Sequence, residues 1–294
     1  MGSRLRTALF VPGDHPRRIA KGARCATDAV VVDFEDAVSD VAKARAREMA
    51  TEAISRLEQT TSCLLVRVNG RDTAWFDDDL SALAPVLDHI WAVVLPKAST
   101  ADDVTHLHDR LADLESKGHH GHETGILPIV ETAAGVLSAW EIASASVRVR
   151  SLLFGAADLS MQLQMDTTAD GDELLHARSQ VVLAAAAAGV GRPLDGPYLR
   201  LDDPAGLRRS TEHAQRLGFG GKAVIHPGQL ETVTSVFTPD SGQVRWALAV
   251  NVAFTAAERD GRASIRLDDG TFVDYPVARR ARAILAEADA ERTP

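Results

Sequence analysis

The sequence predicts a (β/α)8 TIM barrel with a C-terminal extension, and three observations carry that reading. Short, β-branched, almost continuously apolar runs alternate with longer segments of helical spacing; apolar strands flanked by helices indicate a parallel sheet buried on both faces. Eight such β-segments recur over about 225 residues, the repeat number of a closed α/β barrel. A doubly wound sheet would carry a glycine-rich dinucleotide turn, and the nearest stretch, Gly218-Phe-Gly-Gly, has the wrong spacing.

The elements follow in order. TALFVPG (7–13) reads as a strand ending in a turn, followed by a basic helix around Arg17 to Arg24. AVVVDFED (29–36) is the second strand; the stretch 41–58 is helical, with Ala42, Ala46, Ala50 and Ile54 on one stripe. CLLVRVN (63–69), IWAVVLPK (90–97), GILPIVE (125–131) and SLLFGAADLS (151–160) continue the strands, with helical segments at 101–117, 133–145 and 172–189. RPLDGPY (192–198), a helix at 204–217, GGKAVIHP (220–227) and a helix at 228–236 complete the barrel. The Ala184–Ala188 run suits a helix packed close to the barrel wall.

Beyond residue 240 the pattern changes. TPDSG signals a helix entry, 243–260 reads as a helix, 264–276 as a hairpin around Asp269-Gly270, and 277–289 as an amphipathic helix. The expected division is a catalytic barrel at 1–238 and an extension at 239–294, either a lid that contacts a neighbouring subunit or a stabilising tail.

Composition narrows the function. The 294 residues suffice for one large core. Against 41 acidic residues stand 32 Lys and Arg, a net charge of −9 with no dense basic face, which argues against a nucleic-acid partner. No run reaches the roughly 18 to 20 apolar residues of a membrane span, and the five-residue apolar stretch before Pro12-Gly13 is too short for a secretory signal. Cys25 and Cys63 form no CxxC and read as core thiols in a reducing cytoplasm.

In a (β/α)8 barrel, chemistry sits at the carboxyl ends of the strands. Strand two ends in Asp33, Glu35 and Asp36, strand three in Arg67 and Asn69, strand four in Lys97, strand five in Glu131, strand six in Asp158, and strand eight in Lys222 and His226. One such residue could be a cap; six strands ending this way point to a functional rim. Glu131 and Asp158, from neighbouring strands and without nearby His or Cys donors, suit an all-oxygen Mg2+ site that keeps waters and leaves room for substrate. Asp33, Glu35 and Asp36 could orient those waters, although Asp33 and Glu35 share one strand face, so at least one of the trio is expected to point away or to act structurally. Arg67 offers a fork for a substrate carboxylate or keto oxygen. A divalent ion beside an Arg suits stabilisation of an enolate as a carbon–carbon bond breaks.

With these residues assembled, the sequence resembles the citrate lyase β-subunit-like (CitE-like) branch of the HpcH/HpaI aldolase superfamily, which includes malyl-CoA and citramalyl-CoA lyases. The matching stretches are RTALFVPGDHPRRIAK, DAVVVDFEDAVSDVAKARAR, VRVNG, VVLPKA, PIVETAAGV, LLFGAADLS, GFGGKAVIHPGQ and DDGTFVDYPV, in family order from residue 6 to the last helix. The resemblance implies a barrel assembled as homotrimers or hexamers and Mg2+-dependent (or Mn2+-dependent) Claisen and retro-Claisen chemistry on 3-hydroxyacyl-CoA thioesters. It assigns Glu131 and Asp158 to the metal and Arg67 to the substrate's carboxylate and carbonyl, with the Gly155-Ala156-Ala157 backbone beside the substrate. The DFED acids, Asp33, Glu35 and Asp36, would lie around the metal's waters. It also implies that Asp274, in TFVD, is an acid/base delivered by a neighbouring subunit's lid. The family motif more often reads Gly-x-Glu-Asp-Leu, whereas Ala157 precedes Asp158 here; Phe34 replaces a more common Leu.

Other signals are weaker. Arg17, Arg18 and Lys21 either meet the phosphates of coenzyme A or form a solvated basic face. Lys97 and Lys222 are rim candidates for a salt bridge or a substrate contact, with the salt bridge favoured, and His226 reads as fixing the strand-eight turn rather than as a base. His119, His120 and His122 read as a solvated loop on the opposite face. Competing functions are a metal-dependent aldolase on free 2-oxo acids, an acyl-CoA thioesterase, and a subunit acting on a thioester held by an acyl-carrier partner.

Overall fold

The computed structural model describes residues 5–57, 62–118, 121–168 and 171–290. The chain divides into two compact units, the boundary falling between Thr234 and Ser235.

The first unit contains strands β1 (Thr7–Pro12), β2 (Ala29–Asp33), β3 (Cys63–Arg67), β4 (Ala92–Leu95), β5 (Gly125–Val130), β6 (Leu153–Phe154), β7 (Leu194–Asp195) and β8 (Gly221–Val224). They close into a parallel barrel in chain order, β8 pairing back onto β1. Around them lie helices α1 (Pro16–Gly22), α2 (Lys43–Ser55), α3 (Phe76–Leu83), α4 (Ala101–Gly118), α5 (Ala133–Leu137), α6 (Ala139–Ser144), α7 (Ala156–Gln162), α8 (Leu175–Ala188) and α9 (Pro204–Leu217), and α10 (Leu230–Phe237) runs across the boundary.

Alternation along each strand sorts the side chains. Ala29, Val31, Leu65, Ala92, Val94, Leu127, Ile129, Leu153, Leu194 and Ala223 belong to one buried cluster that fills the barrel. Each residue one step away faces the helices. Lys222 and Asp195, next to Ala223 and Leu194, therefore point outward. They form a buried ion pair that Arg178 of α8 joins at 3.1 Å, and Ser210 of α9 accepts a further Lys222 hydrogen bond at 3.2 Å. Burial pulls the Lys222 ammonium below its ordinary range against the pull of Asp195. The salt bridge expected for Lys222 is present, but it lies in the wall between barrel and helices rather than at the rim.

Several expectations need correction. The sixth strand, expected over 151–160, spans only Leu153–Phe154, because the chain turns helical at Ala156. The helix expected over 133–145 breaks at Ser138, whose ψ of 18° leaves the helical range. Helix α3 went unassigned because Asp77, Asp78 and Asp79 make its sequence look like an acidic loop. Those acids occupy the first turn, where the helix dipole favours them; Asp77 and Asp78 face outward, while Asp79 is buried on one stripe with Phe76, Leu80 and Leu83. Cys25 and Cys63 are half-buried and not disulfide-bonded; Cys63 packs against the barrel's buried cluster, whereas Cys25 Sγ donates to the Lys21 carbonyl at 3.3 Å. His119 and His120 lie outside the described residues; His122 Nε2 lies 3.1 Å from the Ile90 carbonyl oxygen.

In the second unit, α11 (Ser241–Arg259) begins with a capping box in which Asp240 accepts from Gln243 N at 2.7 Å. A two-stranded hairpin, β9 (Ile265–Arg266) and β10 (Phe272–Val273), leads into α12 (Tyr275–Ala290). Ala247, Val250, Phe254, Val273, Ala278 and Ala281 form its core, with Tyr275 edge-on to Phe254 at 5.2 Å.

Candidate active site

The inward face does not stop at the apolar core. Two residues beyond Val31, Leu65 and Ile129, the same alternation brings Asp33, Arg67 and Glu131 to the inner face of the mouth, and Asp33 and Arg67 are partners in the β2–β3 register. Arg67 Nε donates to Asp33 Oδ1 at 2.7 Å and Nη2 to Oδ2 at 2.6 Å, a bidentate pair in a nearly dry setting. Arg67 Nη1 donates to Asp36 Oδ2 at 3.1 Å, and Glu35 Oε2 lies 2.7 Å from Nη1 without hydrogen-bond alignment. The Phe10 ring lies 5.3 Å from the guanidinium. Burial alone would lower the Arg67 pKa, but Asp33, then Glu35 and Asp36, hold it above its ordinary value.

All three acids thus converge on Arg67, and the structural role expected of one of the trio falls to Asp33, which holds the guanidinium and the turn. The strand ends at Asp33, whose carboxylate accepts the backbone N–H of Glu35 at 2.9 Å and of Ala37 at 3.2 Å. This tight turn brings Glu35 and Asp36 back over the mouth. Lys43 secures it from behind: its buried Nζ donates to the carbonyls of Phe34, Glu35 and Val38 at 3.0, 3.1 and 3.2 Å. Asn69 Nδ2 also donates to Phe34 O, at 3.1 Å. The sequence reading missed Lys43. Its signal was the spacing of Lys43, Ala46, Ala50 and Ile54, which is the stripe α2 buries, where Ala42 had been expected.

Lys97 adopts a left-handed backbone conformation, φ +53°, uncommon for a residue with a side chain and worth about 1–3 kcal/mol of strain. The conformation aims its N–H at Glu131 Oε1 (2.8 Å) while Nζ reaches Glu35 Oε1 (2.5 Å). Glu131 is 3% exposed. Burial, with the negative charges of Glu35 and Asp158, pushes its carboxyl up to about 8, against the pull of the Lys97 amide and Arg67. Burial also raises the Glu35 pKa, although Arg67 and Lys97 oppose it. Asp158 sits in the first turn of α7 rather than on a strand end, close enough to Glu131 and Lys97 to shift both.

Gly155, just before α7, is required by close approach: a Cβ there would run into the Glu131 side chain. Gly155→Ala should therefore displace Glu131. We expect the apparent affinity for a divalent cation to fall about 10- to 100-fold with little change in fold. A Mg2+ titration by calorimetry, with circular dichroism as the control, checks this.

These groups surround a cavity of about 420 Å3. Asp33, Asp36, Glu131 and Asp158 supply acids, Arg67 and Arg18 supply cations, and Gly155, Ala156 and Ala157 line one side. Phe10, Ile129, Leu153, Pro197, Leu199 and Ile225 make an apolar wall. Of the basic trio on α1, Arg18 lines the cavity; Arg17 and Lys21 are exposed on the same helix and do not. His226 Nδ1 accepts from Gly228 N at 3.0 Å and fixes the turn after β8. Asp274 belongs to the second unit, where Oδ1 accepts from Val277 N at 3.2 Å and caps α12.

Glu131 and Asp158 fit a hard divalent cation. A carboxylate whose ionisation is suppressed by burial and by two neighbouring acids gains most from a positive charge, and both residues offer only oxygen. Among the described residues no group of three or more His, Cys, Asp or Glu side chains forms a metal cage, so such a cation would complete its shell with water or substrate oxygens.

A closed (β/α)8 barrel with a buried carboxylate, a second acid and a guanidinium at its carboxyl-end mouth defines an enzyme that stabilises charge developing on a substrate oxygen. Residues 6–227 match the family model described as HpcH/HpaI aldolase/citrate lyase. The chain belongs to this family, and it is a carbon–carbon lyase. It is 35% identical to the citrate lyase subunit beta of Leuconostoc mesenteroides subsp. cremoris, over 97% of this chain and 93% of that one. It is 34% identical to a (3S)-malyl-CoA thioesterase of Cereibacter sphaeroides (strain ATCC 17025 / ATH 2.4.3), over 97% and 95%. Its fold matches the crystal structure of protein CitE from Mycobacterium tuberculosis in complex with magnesium, acetoacetate and coenzyme A. The TM-score is 0.78 and the identity 32%, covering 98% of this chain and 99% of that chain.

Proposed function

We propose that this lyase forms or cleaves the carbon–carbon bond of a 3-hydroxyacyl-CoA thioester of the malyl, citramalyl or citryl type, with Mg2+ (or Mn2+) held by Glu131 and Asp158. The observation that carries the reading is the buried Glu131, raised to about 8, fixed by the Lys97 amide and packed against Gly155. When bound there, the cation supplies Lewis-acid stabilisation of negative charge on the substrate's oxygens.

The chain's own residues do the rest. Asp33, Glu35 and Asp36 hold Arg67 rigidly over the mouth, and the N–H groups of Arg67 left over from these pairs meet a substrate oxygen. Glu35 and Asp36 also face the waters around the cation. The backbone of Gly155, Ala156 and Ala157 borders the substrate. Arg18, with Arg17 and Lys21 behind it, meets the phosphates of coenzyme A. In the condensing direction Asp274 removes the α-proton of the acyl-CoA; in cleavage it returns one. We assign Asp274 to the site of a neighbouring subunit, with the extension at 239–294 as the lid that carries it, in a cytoplasmic homotrimer or hexamer.

A Mg2+-dependent screen of acetyl- and propionyl-CoA against glyoxylate, pyruvate and oxaloacetate tests the activity. A condensation product that retains its thioester supports the lyase. Free CoA without condensation would favour the thioesterase, and turnover of free oxo acids alone would remove CoA from the account. Asp274→Asn should lower kcat about 10²- to 10⁴-fold while leaving cation and acyl-CoA binding intact. Refolding inactive Asp274→Asn subunits together with inactive Glu131→Gln subunits should restore activity if Asp274 crosses between protomers; a mixture that stays inactive would contradict that assignment.

A further inference from the structure

The turn that carries Glu35 and Asp36 is fastened from outside the cavity and, resting on the lyase reading, that fastening has a consequence for turnover. We propose that Asp79 of α3 is a positioning residue for the reaction: acting through Asn69, and together with Lys43, it fixes the Phe34–Glu35 peptide and so sets Glu35 against Arg67 and Lys97. Asp79, Asn69 and Lys43 do not line the cavity. Each of their bonds is made within one barrel, whatever covers its mouth.

The chain of bonds is continuous. Asp79 is fully buried, and its Oδ2 accepts twice from Asn69, from N at 2.8 Å and from Nδ2 at 2.7 Å. Its Oδ1 accepts from Arg47 Nη1 at 3.0 Å. An amide nitrogen carries two hydrogens; with one given to Asp79, the other Asn69 Nδ2 hydrogen goes to Phe34 O, 3.1 Å away. Lys43 Nζ donates to the same carbonyl at 3.0 Å, and the Trp75 ring, just before α3, lies 4.9 Å from that ammonium. At the other end of the same peptide, Glu35 N donates to Asp33 Oδ1 at 2.9 Å. The peptide unit is planar, so holding both its oxygen and its nitrogen fixes its orientation.

The Glu35 carboxylate depends on this support. Its Oε2 is buried, lies 2.7 Å from Arg67 Nη1 and makes no aligned hydrogen bond. Its Oε1 accepts from the half-exposed Lys97 ammonium. The place of Glu35 is therefore set by the backbone that carries it. Burying a carboxylate is costly unless its oxygens are paired, and Asp79 commits one of its two to Asn69.

Asp79→Asn keeps the side-chain volume, removes the charge and replaces an acceptor with a donor. We expect Asp79→Asn and Asn69→Ala each to lower kcat about 10- to 100-fold and to weaken Mg2+ binding about tenfold, with the KM for acyl-CoA unchanged. The double variant should lose no more than Asn69→Ala, because the two residues act in series. Glu115→Gln is the stability control. It weakens the pairing of Glu115 with Arg148 and Thr124 at the amino end of β5. Its melting temperature should fall, while kcat and Mg2+ affinity, measured well below melting, keep wild-type values. Wild-type kcat and Mg2+ affinity in folded Asp79→Asn, losses that add in the double variant, or equal losses in Glu115→Gln overturn the proposal. Should Asp79→Asn not fold, Asn69→Ala decides on the same readouts, since the relay passes through it. A wild-type protein without lyase activity would remove the lyase reading, and calorimetric Mg2+ titration then decides. A tenfold loss in Asp79→Asn that Glu115→Gln does not share supports the positioning role, and no loss overturns it.

Discussion

Glu131→Gln should lower turnover by about 10²- to 10³-fold or more, the usual cost of removing one stabiliser of developing oxygen charge, and should make the metal-free protein more stable at alkaline pH. The two effects have one cause. Glu131 is 3% exposed and its carboxyl is raised from 4.5 to about 8 by burial and by the charges of Glu35 and Asp158. Below the unfolded value both states are protonated and the group has no effect. Between the two values the unfolded chain ionises while the native one keeps its proton, so stability falls as pH rises, by at most about 1.4 kcal/mol per pH unit. Above the native value the loss is complete. Gln carries no charge and removes this dependence. Metal-free wild-type protein should therefore lose stability from pH 5 to 8 more steeply than Glu131→Gln. Mg2+ should raise the wild-type melting temperature increasingly with pH and leave the variant unchanged. Scanning calorimetry at several pH values with and without EDTA reads all of this; a variant that still gains stability from Mg2+ would remove Glu131 from the cation site.

Arg67→Met has the second large effect, on fold and activity together. It leaves Asp33 and Glu35 buried with no guanidinium beside them, and removing one partner of a buried ion pair costs about 3–5 kcal/mol. Activity should fall at least 10²-fold. The double variant Arg67→Met/Asp33→Asn removes one stranded charge, so denaturant titration should show part of the stability restored. Its turnover should stay low, because the donors facing the substrate are still missing. A double variant that regains activity would show Arg67 to be a structural counter-ion alone.

The barrel was legible because its strands are β-branched runs with little competing pattern, and because eight of them alternate with helices. The meeting of Asp33, Arg67 and Glu131 was legible as well. Each follows an apolar strand by an even step, so the period-two rule keeps it on the inner face. Local geometry that depends on a side chain answering the backbone was not legible. The turn after β2 exists because Asp33 accepts two backbone N–H groups and Lys43 donates to three carbonyls, and neither follows from hydrophobic spacing. The positive φ of Lys97 has no sequence signature, since such positions usually favour glycine. Asp158 was expected on a strand end because LLF reads onward into GAADLS without a break.

The central claim is that a cation at the site proposed for Glu131 and Asp158 stabilises a thioester enolate. Deuterium uptake at the α-carbon of the acyl-CoA tests it most directly, measured in D2O with Mg2+ and the oxo acid that the enzyme condenses. The account predicts α-deuterated acyl-CoA from the wild-type protein, none with EDTA, and rates at least 10²-fold lower for Glu131→Gln and Asp274→Asn. Undiminished exchange in Glu131→Gln, or condensation that proceeds without Mg2+, would contradict it.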